Sequence, residues 1–82
     1  MPRYFLHIKE GPDVVIDPEG QNFADLPAAQ VEAVEVARDL MAERLRAGRP
    51  MDLNSEVIVS DEHGDTLARV EFQAALRSDD PS

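Results

Sequence analysis

The sequence predicts an α+β domain of order ββαββ, a four-stranded antiparallel sheet with one long helix packed on one face. Three observations carry it. Two short β-rich hairpin patterns stand at either end of the chain, a bracketed amphipathic segment separates them, and turn residues fall at each junction. The first strand is the apolar run Tyr4-Phe5-Leu6-His7-Ile8, closed by Glu10-Gly11-Pro12-Asp13. A strand apolar on both faces belongs inside a sheet. Asp13-Val14-Val15-Ile16-Asp17 is the β-branched return strand, stopped by Pro18 and Gly20, and the stretch from Pro18 to Ala24 reads as a loop.

Asp25 stands at an N-cap position with Pro27 in the first turn, and Gly48 and Pro50 follow the last periodic residue, which predicts a helix over Leu26–Ala47. At 100° per residue, Leu26, Ala29, Ala33, Val34, Val36, Ala37, Leu40, Met41 and Leu45 share one half of the wheel. Glu32, Glu35, Asp39, Glu43 and Arg46 share the other. Arg44, Arg46 and Arg49 gather where the helix dipole favours cations. Ser55–Asp61 and Thr66–Phe72 form a second hairpin across the glycine-bearing turn Glu62-His63-Gly64-Asp65, and one helical turn is expected from Gln73 to Arg77.

With the crossover returning beside the first strand, the strand order is 2-1-3-4 and every neighbour is antiparallel. Alternation then aims Tyr4, Leu6, Ile8, Val14, Ile16, Val57, Val59, Val70 and Phe72 at the helix. The open face carries Phe5, His7, Val15, Ile58, Leu67, Arg69 and Glu71. Residues 1–77 make a single domain, and residues 78–82 are expected to be a disordered tail.

Composition narrows the function. The chain has 82 residues, 17 acidic against 8 basic, a formal charge of −9 and no cysteine. That charge repels nucleic-acid phosphate and anionic lipid, so neither nucleic acid nor membrane is an expected partner. The absence of cysteine, of a secretory leader pattern and of a long apolar run points to the cytoplasm.

No catalytic, cofactor-binding or metal site is expected. Asp61, Glu62, His63 and Asp65 are the densest set of ligand types, but successive residues of one tight turn cannot converge on one ion. Ser55, Ser60 and Thr66 have no histidine that the sequence places within hydrogen-bonding reach. All four glycines sit at turns and build no phosphate loop.

Several stretches together resemble a family of short alphaproteobacterial proteins described only as a domain of unknown function. They are the start Met-Pro-Arg-Tyr-Phe-Leu-His-Ile, Glu10-Gly11, Asp17-Pro18-Glu19-Gly20, the Asp25-Leu26 helix start and the turn Asp61-Glu62-His63-Gly64. The opening Arg-Tyr-Phe-x-His stretch is the most specific, although members carry a second aromatic where this chain has Leu6. The resemblance implies a small cytoplasmic α+β domain and assigns no activity. The strands running into an acid-capped helix rich in alanine and glutamate also resemble HicB-type antitoxins, without their signature before the helix or a DNA-binding segment after the domain.

The remaining expectation is a non-catalytic interaction or structural domain, a homodimer pairing either the sheet edges or the open faces, the latter through Phe5, His7, Val15, Ile58 and Leu67. The alternative is an antitoxin-like or regulatory module that presents Glu32, Glu35, Asp39 and Glu43 to a basic protein partner.

Overall fold

A computed structural model describes residues 2–76. The expected tail, 78–82, lies outside the described residues, as does Arg77. Strands β1 (Arg3–Glu10) and β2 (Asp13–Val15) form the first hairpin, and β3 (Gln21–Asn22) follows. Helix α1 spans Leu26–Ala47, the bounds read from its brackets. Strands β4 (Glu56–Ser60) and β5 (Thr66–Glu71) form the second hairpin, and the four-residue helix α2 (Phe72–Ala75) ends the description.

The sheet runs β2-β1-β4-β5 with every pairing antiparallel, and β3 adds a fifth strand beside the start of β1. That addition corrects the reading of Pro18–Ala24 as pure loop. Val15 opposes Ile8 and Gln21 opposes Tyr4, so β2 and β3 are two pieces of one edge strand. Between them Ile16 to Gly20 bulge outward.

The caps explain the helix ends. Asp25 Oδ1 accepts the Ala28 N–H at 3.0 Å, and Gly48 adopts φ 69°, a left-handed turn that lets the Arg49 N–H reach the Arg44 carbonyl at 2.9 Å. Ala29, Ala33, Ala37 and Met41 are the buried stripe of α1. They meet Val57, Val59, Phe72, Ala75 and Tyr4 in one core, with Leu6, Ile8 and Leu40 only partly buried at its margin.

Two side chains tie the layers together. Arg44, read from the sequence as a helix-end charge, pairs with Glu10 at the end of β1 and lies 6.0 Å from the centre of the Phe72 ring. Arg38 Nε donates to the Ala75 carbonyl at 2.9 Å, which fixes α2 against α1.

Three placements differ from the alternation expected. The two-residue turn pairs Ile8 with Val15 and Lys9 with Val14, and cross-strand partners share a face. Val15 therefore lies on the helix side and Val14 on the open side, the reverse of the expectation, because a register one residue away exchanges the faces of a whole strand. Neither they nor Ile16 enter the core; all three are exposed. Leu45 is 70 % exposed, beyond the edge of the sheet's cover. Phe72 is fully buried but opens α2 rather than closing β5.

Candidate functional site

The register of β1 on β4 builds the open face. Phe5 opposes Ser60, His7 opposes Ile58 and Lys9 opposes Glu56, while Ile58 opposes Arg69 of β5. Phe5 and His7 are next-but-one neighbours on a pleated strand, so their rings stack, with centres 6.3 Å apart and planes 15° off parallel. Arg69 crosses to Glu56 at 3.3 Å. Leu67 is the extra residue of a bulge, since Val59 opposes Ala68 but Ser60 opposes Thr66; it sits at the rim and is exposed. Of the five interface residues expected from the sequence, the structure brings together Phe5, His7 and Ile58, sets Leu67 at their margin and moves Val15 to the other side of the sheet.

His7 is the hub. Its Nδ1 accepts the backbone N–H of Asp17 at 3.0 Å, and its Nε2 lies 2.9 Å from Ser60 Oγ. The second contact is one that the sequence could not place: Ser60 and His7 are diagonal neighbours on adjacent strands, a relationship that exists only once register is known. The Asp17 carboxylate completes the cluster, accepting N–H bonds from Leu6, Glu19 and Gly20 at 3.1–3.2 Å. It thereby satisfies a β1 donor that the outward bulge leaves without a strand partner. Burial alone would raise the Asp17 pKa, but the N–H donors of Gly20, Leu6 and Glu19 outweigh it and hold the carboxyl below its ordinary value.

The His7–Ser60 pair has the wrong polarity for nucleophilic catalysis. A backbone N–H can only donate, so Nδ1 carries no proton and the neutral ring donates from Nε2 toward Ser60. A general base needs the opposite arrangement, with Nε2 free to take the serine proton. A shallow cavity of about 200 Å³ beside the pair is walled by Phe5, Asp61, Glu62 and Gly64. Within it Asp61 is already committed, its Oδ1 accepting the N–H groups of His63 and Asp65 at 2.9 and 3.0 Å. Among the described residues no group of three or more histidine, cysteine, aspartate or glutamate side chains is placed to hold a metal ion. No helix among them is long and apolar enough to cross a membrane.

The acidic residues of α1 divide. Glu35, Asp39 and Glu43 are exposed, with Glu35 3.7 Å from Arg38 one turn on. Glu32 is half-buried and turns toward the edge loop, where it lines a groove with Glu19.

Residues 3–73 match the family model described as Domain of unknown function (DUF6894). The chain belongs to this family. The match runs from the first residue of β1 into α2 and takes in the whole His7, Asp17 and Ser60 cluster. Neither the comparison with curated proteins nor that with solved structures gives a match.

Proposed function

We propose that the chain is a cytoplasmic, non-catalytic interaction domain that pairs with a second copy of itself across the open sheet face. The observation that carries the reading is one-sided cover: α1 and α2 pack on each other and on the same side of the sheet, so neither helix lies over Phe5, His7 and Ile58, and the edge loop touches only Phe5 and His7 at the margin. The charges of that face suit self-pairing. Both signs are present on it, with Lys9 opposite Glu56, Glu56 opposite Glu71 and Arg69 crossing to Glu56, so pairing two copies does not bring together faces of a single sign. The cluster around His7 supports a structural use of the histidine, holding the edge loop against β1, and its proton arrangement speaks against an enzyme. Sedimentation equilibrium tests the pairing. A dimer at micromolar concentration that Ile58→Glu converts to a folded monomer is the expected result; a monomer at high micromolar concentration, indifferent to that substitution, overturns it.

A further inference from the structure

The helix does not cover the whole of its own side of the sheet. An α-helix with its side chains is about 10–12 Å across and strands lie roughly 4.8 Å apart, so one helix roofs about two strands. Here α1 packs on β4 and β5 and scarcely on β1 or β2. The uncovered half is a groove of about 400 Å³ between α1 and the edge loop. Its floor is Leu6 and Ile8 from β1 with Val36 and Leu40 from α1, and its walls carry Asp17, Glu19 and Glu32 with no cation among the lining residues. Val15, on the helix side of the sheet and 61 % exposed, extends the apolar surface past the strand edge.

We infer that this groove docks an amphipathic helix with a basic flank, supplied by a different protein and lying beside α1 in the place of a second covering helix. Charge selects the occupant. The walls are acidic, the Asp17 carboxyl is held ionised by its N–H donors, and the chain carries a formal charge of −9. A second copy would bring α1 with Glu32, Glu35, Asp39 and Glu43, repelled by the same walls. Residues 77–82 bring Asp79 and Asp80 and no large apolar side chain. Apolar residues at i, i+3, i+4 and i+7 of an incoming helix meet the floor while its lysines or arginines meet Glu19 and Glu32. The groove and the open face lie on opposite sides of the sheet, so the two contacts are separable.

The test uses the full chain and a leucine–lysine peptide with its leucines at those helical intervals, followed by fluorescence anisotropy, circular dichroism and methyl NMR. Expected are saturable binding, a gain of peptide helicity, and shifts at the methyls of Leu6, Ile8, Val36 and Leu40. The double variant Glu19→Lys with Glu32→Lys, and separately the exposed Gln21→Lys, weaken binding about tenfold or more with the unfolding midpoint unchanged. Ile58→Glu leaves it intact. Equal binding of a peptide with the same composition in scrambled order reduces the effect to net charge and overturns the inference, as do binding that leaves the methyls of Leu6, Ile8, Val36 and Leu40 unshifted or the absence of binding.

Discussion

His7 accepts the backbone N–H of Asp17 on Nδ1 at 3.0 Å, and that contact decides which ring nitrogen carries the proton. Replacing His7 with alanine strands the Asp17 N–H and the nearly buried Ser60 hydroxyl together, at a cost of about 1–3 kcal/mol for each group left unsatisfied in a buried setting. His7→Asn keeps a side-chain acceptor near the place of Nδ1 and recovers part of the loss. Urea midpoints ordered wild type, Asn, Ala are the expected result, and imidazole nitrogen shifts report the proton on Nε2.

Asp17 gives the cluster a pH signature. Its folded-state pKa lies below the ordinary aspartate value, so the carboxylate contributes stability that is fully present above the unfolded pKa of about 3.9 and is lost as pH falls through the lower folded value. Asp17→Asn removes that contribution while preserving the shape of the side chain. The stability gap between wild type and Asp17→Asn is therefore widest near neutral pH and narrows in acid below about pH 4. A gap that stays constant from neutral pH to pH 3 contradicts the assignment of Asp17 as an ionised anchor.

The same loop constrains Gly20. Its φ is +71°, and a Cβ there would stand 2.9 Å from both the Phe5 ring and the Tyr4 carbonyl oxygen. Gly64, at φ +87°, has open space around the corresponding position. Alanine at either glycine incurs the left-handed backbone cost of roughly 1–2 kcal/mol, but only Gly20→Ala adds a clash with backbone that cannot swing aside. Thermal unfolding of the two variants is expected to place Gly20→Ala clearly below Gly64→Ala.

Local signals and pairwise geometry divide what the sequence made legible from what it did not. Asp25, Pro27 and Gly48 act through their immediate neighbours, and α1 begins and ends where they say. The topology followed from hydrophobic run length and crossover handedness, and β2, β1, β4 and β5 stand in the expected order. Register obeys neither signal. The turn at Gly11-Pro12 pairs Val15 with Ile8, and the bulge after Val59 leaves Leu67 unopposed, each fixed by one residue of turn geometry. The hydrogen bond from His7 to Ser60 spans 53 positions and appears only after two strands are aligned. The Asp17-Pro18-Glu19-Gly20 stretch did carry a usable sign, since an aspartate two and three residues ahead of free N–H groups is an Asx-turn pattern. The off-centre seat of α1 has its cause in Phe72 and Ala75: by filling the space beside β5, α2 and its buried side chains hold the helix over that half of the sheet.

That seat predicts an unequal core. Phe72 is fully buried beneath Arg44 and against the alanine stripe, whereas Leu40 is half-buried on the floor of the groove. Phe72→Ala leaves a cavity closed on all sides and is expected to cost about 3–5 kcal/mol, a large part of what so small a domain has. Leu40→Ala opens onto a groove that water already reaches, so its cost falls below the roughly 2 kcal/mol that marks the low end for a buried leucine. Chemical denaturation of the two variants separates the cases. Equal losses at the two sites would mean that α1 is centred on the sheet, with Leu6, Ile8 and Leu40 sealed beneath it and no groove beside them.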